Sequence, residues 1–240
     1  MKVSVALAAY EGEAFLGAQI ESILAQLEPQ DELVVSDDKP GGETQRMVQA
    51  FCAKDNRVQY IEGAGAGVCA NVANALTHCS GDVFFLSDQD DVWLPGKRQA
   101  VLDAIENGAQ LVLHNALLTD VALNPTGETF FGQNGLRRGV VLNLLKNSYI
   151  GCCMAFTRAL RDAALPFPKG LPMHDWWLGL LAEKDGRIAV VQDSLLLYRR
   201  HGRTVTGQEK EAFWRRCWWR VFLTWHYFRR ATCAMPGNHV

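Results

Sequence analysis

Four short apolar segments typical of buried strands alternate with three amphipathic helical segments in the first third of the chain. The strands are predicted at 3–9, 32–36, 57–61 and 83–87, with helices between them at 14–27, 45–53 and 68–78. This alternation predicts a doubly wound α/β fold, in which helices cover both faces of a mainly parallel sheet. Sheets of this kind bind ligands at the carboxyl ends of their strands. We therefore expect the functional side chains to follow the strands.

The rest of the chain continues the same domain and adds a terminal helix. The pattern predicts a helix at 97–106, a strand at 111–118, a loop at 124–138, a helix at 175–182, strands at 188–191 and 195–198, and a helix at 213–230. No internal repeat or low-complexity linker divides these segments. The sequence predicts a single domain over 1–207, followed by an aromatic and basic helical appendage at 208–240.

Charge is unevenly distributed along the chain. The net charge of −2 over 240 residues predicts no strong attraction to nucleic acid. From Arg199 to the C-terminus, however, nine Lys or Arg stand against two Glu, which gives +7 there and leaves −9 on residues 1–198. The two parts are therefore expected to face different partners.

The cysteines and the N-terminus indicate a reducing, cytoplasmic environment. The seven cysteines form no C-x-x-C pair, and adjacent Cys152 and Cys153 suit buried thiols on opposite faces of a strand. The N-terminal apolar run alternates like a strand and is soon followed by acids, so a signal peptide is not expected. No uninterrupted run of about 18 apolar residues predicts a membrane-spanning helix.

Three carboxylates, those of Asp88, Asp90 and Asp91, follow the fourth predicted strand within four residues. Crowding them together is electrostatically costly without a cation. Oxygen ligands suit Mg²⁺ or Mn²⁺, with water and ligand phosphates completing the coordination. The alternative is an Asp-rich turn that caps the helix beyond Pro95. The acids alone leave both interpretations open.

Polar residues also follow the first two predicted strands. Tyr10 and Glu11 end the first, and Asp37 and Asp38 end the second. A nucleoside diphosphate needs acceptors for its base and ribose and a divalent ion for its phosphates, and such an edge would supply both. Each residue taken singly could equally lie in a solvated turn.

The glycine-rich segment 63–67 (GAGAG) lacks the context of a dinucleotide-binding fingerprint. It follows the third strand rather than the first, and Val68 stands where the fingerprint has its last Gly or Ala. It predicts a flexible turn into the helix that carries Asn71.

A second acidic position, Asp175, begins the predicted helix 175–182 and is followed by two tryptophans. It could be a general base beside an apolar wall suited to a sugar ring, or simply the N-cap of the helix. His201 could be a metal or phosphate ligand, or an exposed loop residue. The residues themselves leave these alternatives open.

The ordered set of motifs resembles glycosyltransferase family 2, the inverting enzymes of the GT-A fold, and within it the bacterial rhamnosyltransferase-like members. The matching stretches are 8–12 (AAYEG), 19–23 (QIESI), 34–38 (VVSDD), Gly67 with Asn71, 85–93 (FLSDQDDVW), 174–177 (HDWW) and 197–202 (LYRRHG). The resemblance extends over roughly residues 1–207. It implies a GT-A domain with a nucleotide-sugar-binding half at 1–120 and an acceptor-binding half at 121–207.

The resemblance also implies roles for individual residues. Asp175 resembles the acceptor-activating base. The nucleotide sugar would be bound by Ala9, Glu11, Asp38, Asn71, Asp88 and Gln89. A divalent metal, Mn²⁺ or Mg²⁺, would be held by Asp90 with Asp88 and His201. The acceptor would contact Trp93, His174 and Trp176.

The implied function is metal-dependent transfer of a sugar, with inversion, from a nucleotide-diphosphate donor to a hydroxyl of a bacterial surface glycan, which could be lipid-linked. The rhamnosyltransferase-like motifs favour a deoxythymidine-diphosphate sugar, although a uridine-diphosphate hexose would use the same acids. A nucleotidyltransferase is the rival enzyme, but it would need a basic loop after the first strand, where this chain has Glu11 and Glu13. A catalytically degenerate scaffold partner of another transferase is the non-enzymatic alternative.

The predicted helix 213–230 holds four of the seven tryptophans and five arginines. Trp214, Cys217, Trp218, Val221, Phe222 and Trp225 are predicted to share one face. Aromatic rings flanked by arginine suit the headgroup region of an anionic membrane, which would place the protein peripherally on the inner face of the plasma membrane. The alternatives are packing on the catalytic domain or on a second subunit of a homodimer.

Overall fold

One nine-stranded sheet organises the structure, a computed structural model that describes residues 1–201 and 213–232. The strands of the described part are β1 (Val3–Ala9), β2 (Glu32–Asp37), β3 (Val58–Glu62), β4 (Val83–Asp88), β5 (Val92–Trp93), β6 (Leu111–Thr119), β7 (Pro125–Thr129), β8 (Met154–Thr157) and β9 (Ile188–Arg199). The helices are α1 (Leu16–Leu24), α2 (Glu43–Cys52), α3 (Val68–His78), α4 (Lys97–Glu106), α5 (Phe130–Asn134), α6 (Val140–Leu145), α7 (Arg158–Ala164), α8 (His174–Ala182) and α9 (Phe213–Thr232).

The strand order is β3-β2-β1-β4-β8-β6-β9-β5, with β7 paired to β6. The first four strands of this order are mutually parallel, as predicted, and β8 joins them antiparallel. In this register Ala9 lies beside Asp37 and Ala8 beside Asp88. The carboxyl ends of β1, β2 and β4 therefore meet at one edge of the sheet.

Two apolar cores lie on opposite faces of the sheet because successive side chains of a buried strand point to opposite sides. Leu7 and Phe85 belong to the first core, which α1 covers with its apolar face. Phe84 and Leu86 belong to the second core, which lies under α3, α7, α8 and α9. Each fully buried side chain of this size stabilises the fold by about 1.5–3 kcal/mol.

The second half of the chain contains more regular structure than its sequence predicts. The predicted loop 124–138 is wrong in part, since it contains β7 and α5; the Thr129 hydroxyl caps α5 by accepting the Gly132 N–H at 3.1 Å. The two strands predicted at 188–191 and 195–198 form the single strand β9, whose pairing with β6 is interrupted by register shifts. The Cys152–Cys153 pair is buried as predicted, but in a 3-10 turn rather than a strand.

The six described cysteines are all unpaired thiols, while Cys233 lies outside the described residues. None of the described helices is long and apolar enough to cross a membrane.

The aromatic helix α9 packs on the rest of the domain by one face. Leu223 is fully buried in the second core. Arg220 donates to the carbonyl oxygens of Leu144 and Leu145, at 2.9 and 2.7 Å. Near the other end of the helix, Arg230 donates to the carbonyl oxygen of Leu165 at 3.0 Å. The inner face of α9 is thus fixed to the body of the protein.

Candidate active site

The polar end of β2 organises the glycine-rich loop at the edge of the sheet. Asp38 is buried, its N–H donates to the Ala9 carbonyl oxygen at 2.9 Å, and its two carboxylate oxygens accept the N–H groups of Gly65 and Gly67, each at 2.8 Å. Gly65 and Gly67 have φ angles of 65° and 89°, which favour glycine. The predicted turn into α3 is therefore confirmed, and it is wrapped around the carboxylate of Asp38.

Asn71, at the start of α3, is bonded entirely within the protein. Its Nδ2 donates to the carbonyl oxygens of Ala9 and Ser36, at 3.1 and 2.9 Å, and its Oδ1 accepts the Ser36 hydroxyl. A Cβ on Gly63 would lie 2.7 Å from this Oδ1, so glycine is required there. Asn71 therefore holds β1, β2 and α3 together at the edge where the nucleotide is predicted to bind.

Gln89, in the turn directly after β4, has a similar internal role. Its side-chain amide pairs with the backbone of Tyr10, accepting the N–H at 2.8 Å and donating to the carbonyl oxygen at 2.9 Å. A Cβ on Gly12 would lie 2.2 Å from the Gln89 Oε1. Gln89 thus holds the loops after β1 and β4 together.

Glu11 lies in the loop just after β1. It has a positive φ of 47° and forms an exposed ion pair with Lys39. Hydrogen bonding to Glu11 raises the pKa of Lys39. Sequence reasoning did not select Lys39, although its ammonium group lies beside Glu11 at the edge where the nucleotide is predicted to bind.

The three acids after β4 occupy different environments. Asp88 is partly exposed, and burial, followed by repulsion from Asp90 and Asp175, raises its pKa to about 7. Asp91 is fully buried, and burial together with the charges of Asp88 and Asp90 raises its pKa well above the ordinary value. The Asp91 Oδ1 accepts the Arg199 N–H at 3.1 Å, while its Oδ2 has no partner among the described residues. Asp91 is therefore suited to hold a proton.

Asp90 is bonded to residues at the end of β9 and just after it. Its Oδ2 lies 2.8 Å from the His201 Nε2, and its carbonyl oxygen accepts the Arg199 Nε–H at 2.7 Å. Phe15 contacts both partners, with the His201 ring stacked at 5.0 Å and the Arg199 guanidinium 4.6 Å from its centroid. Sequence reasoning missed Arg199 and Phe15. The only signal for Arg199 was its place in the motif that ends at His201.

Asp90 and His201 carry donor atoms that a divalent ion can bind, and the Asp90 Oδ2 and His201 Nε2 lie 2.8 Å apart, at hydrogen-bond distance. Among the described residues, the group of three whose potential ligand atoms all lie within 4.8 Å of one another is a different one, Asp88, Asp91 and Cys152. Burial raises the pKa of the Cys152 thiol, however, and a protonated thiol is a poor ligand for hard ions. The binding of a metal by Asp90, His201 and Asp88 stays a prediction.

Asp175 is a buried carboxyl in the first turn of α8. Burial raises its pKa to about 7, against hydrogen bonds from the backbone N–H groups of Trp176, Asp175 and Gly151 that lower it. The N-cap of α8 is Met173, without a side-chain cap, so Asp175 does not serve as the N-cap. Its charge raises the pKa of Asp88, so the two acidic positions, far apart in sequence, are near enough to interact electrostatically.

His174 lies beside Asp175 in a close-packed setting. Its Nδ1 is 3.9 Å from the Cys69 Sγ, and a Cβ on Gly151 would lie 2.9 Å from its Nε2. Burial lowers the pKa of His174 to about 4, so the ring is neutral at physiological pH.

The two tryptophans predicted to contact the acceptor are buried instead. Trp93 is 3% exposed, its ring packs against Phe85, and the Lys97 Nζ lies 4.3 Å from its centroid. Trp176 is 6% exposed and donates its indole N–H to the Asn143 carbonyl oxygen at 2.9 Å. The cores cover the apolar area of both rings, so little of either side chain is exposed to an acceptor.

Fold and site together define an α/β protein of the GT-A type, with polar residues at the carboxyl ends of β1 and β2, an acidic centre after β4 and a buried carboxyl at the start of α8. Comparison with known proteins identifies it further. The chain belongs to glycosyl transferase family 2, whose family model matches residues 4–164.

Two relatives illustrate the similarity in sequence. The chain is 27% identical over 195 residues to the Escherichia coli UDP-Glc:alpha-D-GlcNAc-diphosphoundecaprenol beta-1,3-glucosyltransferase WfgD, covering 79% of this chain and 72% of that protein. It is 23% identical over 242 residues to the putative teichuronic acid biosynthesis glycosyltransferase TuaG of Bacillus subtilis strain 168, covering 95% and 87%.

A solved structure confirms the fold. The crystal structure of S. aureus TarS 1–349 in complex with UDP-GlcNAc is similar with a TM-score of 0.67 at 16% identity, over 96% of this chain and 70% of that one. In another crystal structure of the same TarS fragment the match spans 60% of that chain.

Proposed function

We propose that the protein transfers a sugar, with inversion, from a nucleotide-diphosphate donor to a hydroxyl of a bacterial surface glycan. The observation that carries this proposal is the buried carboxyl of Asp175, with a pKa raised to about 7, placed within electrostatic reach of Asp88 at the end of β4. A base whose pKa lies near the working pH is well suited to proton transfer.

The proposed chemistry divides between the two sides of the site. The edge formed by Ala9, Glu11 and the loop around Asp38 would receive the nucleotide. Asp90, His201 and Asp88 would hold a Mn²⁺ or Mg²⁺ ion. When bound, such an ion would supply positive charge to the leaving diphosphate.

Asp175 would accept the proton of the acceptor hydroxyl. The hydroxyl oxygen forms a bond to the anomeric carbon while the bond from that carbon to the diphosphate oxygen breaks, so the configuration inverts and no covalent intermediate is formed. His174, neutral and beside Asp175, would contact the acceptor as a hydrogen-bonding group rather than as a charge.

The substrates are proposed from the relatives. The E. coli relative is named for UDP-glucose and a diphosphoundecaprenol-linked acceptor. We therefore favour a uridine-diphosphate hexose over the deoxythymidine-diphosphate sugar that the motifs suggested, and a lipid-linked acceptor. A lipid-linked acceptor is consistent with peripheral attachment through 213–230 at the inner face of the plasma membrane.

A thermal-shift panel tests the proposal on the full chain. UDP-glucose, UDP-GlcNAc and dTDP-rhamnose are each added with Mn²⁺ and with EDTA, since a ligand that binds the native state raises the melting temperature. We expect one donor to raise it with Mn²⁺ only, and turnover of that donor to stop with EDTA. Binding of no donor would support the scaffold alternative, and turnover unaffected by EDTA would remove the metal from the mechanism. Release of pyrophosphate from a nucleoside triphosphate and a sugar phosphate would support a nucleotidyltransferase.

A further inference from the structure

The short helix α6 presents apolar side chains that no sequence pattern predicted. Val141, Leu142 and Leu145 are 70%, 51% and 61% exposed. On its other side α6 packs against the second core through Val140 and Leu144. Three adjacent exposed aliphatic side chains on one helix are unusual for a surface that only meets water.

The outer face of α9 has the same character. Trp214, Trp218, Val221, Trp225 and Phe228 are each more than half exposed and recur at helical spacing on one side. The opposite side of α9 carries the residues that pack on the second core, among them Trp219, Leu223 and Tyr227. Phe222, which the sequence placed on the outer face, also packs on that core.

Arg220 joins the two helices into one surface. Its guanidinium donates to the last carbonyl oxygens of α6, those of Leu144 and Leu145, and it precedes Val221 on the outer face of α9. We call the exposed side chains of α6 and α9 together the α6–α9 surface.

The two segments that form this surface carry only basic charges, whereas the acids Glu183 and Asp185 act on Tyr227, on the inner side of α9. Neither segment 135–150 nor segment 213–232 contains Asp or Glu, while eight basic residues lie in them: Arg137, Arg138, Lys146, Arg215, Arg216, Arg220, Arg229 and Arg230. Apolar side chains among cations match the headgroup region of an anionic bilayer. A symmetric dimer through the same face would place both sets of cations together, which opposes a second copy of the chain.

We propose that the α6–α9 surface docks on an anionic lipid bilayer, with α6 inserting its aliphatic side chains beside the aromatic face of α9. This rests on the proposed function and deepens it, because it makes attachment a property of two helices rather than of the C-terminal helix alone.

Docking through α6 would also orient the candidate base. Asn143 of α6 is buried, its carbonyl oxygen accepts the indole N–H of Trp176, and its side chain donates to Glu183 just beyond α8 at 3.3 Å. Asp175 precedes Trp176 in the first turn of α8. The bilayer-facing helix and the carboxyl that would deprotonate a lipid-linked acceptor therefore belong to one bonded unit.

Co-sedimentation of the full chain with vesicles tests the proposal. Vesicles of phosphatidylglycerol with phosphatidylcholine are compared with vesicles of phosphatidylcholine alone. The variants are V141S/L145S on α6 and W218S/W225S on α9, with V121S as control because Val121 is a similarly exposed valine, 51%, outside both helices. All of these side chains are exposed, and the melting temperature of each variant reports its folding.

We expect the wild type and V121S to bind the anionic vesicles and to release them at high salt. Each double variant should lose affinity by about tenfold or more, because two exposed apolar side chains no longer leave water. Unchanged affinity of V141S/L145S would overturn the role of α6, and equal binding to neutral vesicles would overturn the choice of an anionic bilayer. A concentration-dependent dimer that V141S/L145S dissociates would instead assign the surface to a second copy.

The thermal shift caused by the donor is measured on the same samples and tests the proposed function separately. If the wild type shows no such shift, the proposed function fails, but the docking proposal does not.

Discussion

Replacing Asp175 by Asn separates a catalytic role of this carboxyl from a structural one, because the two roles predict opposite changes in stability. Asp175 is 6% exposed, and its pKa rises from an ordinary value of 3.8 to about 7 in the folded protein. A carboxyl with a raised folded pKa destabilises the native state once it is ionised, and the cost grows as the pH rises from about 4 to about 7. Above pH 7 it amounts to about 4 kcal/mol.

The asparagine side chain of this variant would carry no charge and would retain an oxygen that can accept the Trp176 N–H, which Asp175 accepts at 2.6 Å. We therefore expect Asp175→Asn to raise the free energy of unfolding at pH 8 by up to about 4 kcal/mol, and the melting temperature by about 2–4 °C per kcal/mol. Near pH 4 the variant and the wild type should be about equally stable. Urea unfolding at both pH values measures the difference.

The same variant should lose roughly 10²–10⁴-fold in kcat for sugar transfer, the usual contribution of a general base. In the wild type, kcat should rise with pH through about 7 as Asp175 ionises, and the variant should lose this dependence. Asp193→Asn, at an exposed position of β9, is the matched control and should change neither quantity. Wild-type turnover in Asp175→Asn would refute the assignment of the base, and a lower stability at pH 8 would show that the carboxylate supports the fold instead.

Three further predictions concern the metal candidate and the packing of α8 and α1. Asp90→Asn should abolish the thermal shift that the donor causes in the presence of Mn²⁺. It should change the free energy of unfolding by only about 1 kcal/mol, because its partner His201 is partly exposed. Thermal melts with and without Mn²⁺ separate the two effects. Gly179→Ala should destabilise the protein by about 1–3 kcal/mol in urea unfolding, because a Cβ there would lie 2.3 Å from the Tyr149 ring. Gly17→Ala, in α1 with its nearest neighbour 3.8 Å away, should stabilise by about 0.5–1 kcal/mol in the same assay.

The first half of the fold could be predicted from the sequence because its strands are buried on both faces and its helices have one apolar side. The predicted strand at 83–87 differs from β4 by one residue. The later elements β8, α6 and α7 are only four to seven residues long, which is too short for a helical or strand period to stand out. Their positions are set by tertiary contacts, such as the pairing of β8 with β4 and β6.

The acids of the candidate site could be found in the sequence because they follow a strand or begin a helix. Their environments could not, since burial and partners are properties of the folded chain. Asp91 is completely buried and its carboxylate is bonded to Arg199, whereas the carboxylate of Asp90 is bonded to His201. Phe15 lies within the predicted amphipathic helix 14–27, and its stacking on His201 depends on β9, which ends at Arg199 and brings His201 to the site.

The bond from Arg199 to Asp91 spans 108 residues of sequence, which has a consequence for the order in which the protein is made. At ribosomal rates of roughly 5–20 residues per second, about 5–20 s pass between the synthesis of the acidic centre and the synthesis of its partner. During that interval the nascent chain already contains β1 to β4 and the nucleotide edge, while the backbone that holds Asp90 and Asp91 is still missing. The acidic centre is therefore completed only when the last strand of the sheet has left the ribosome. An unfinished chain would contain Asp90 and Asp91 but would lack the hydrogen bonds from Arg199 that position them.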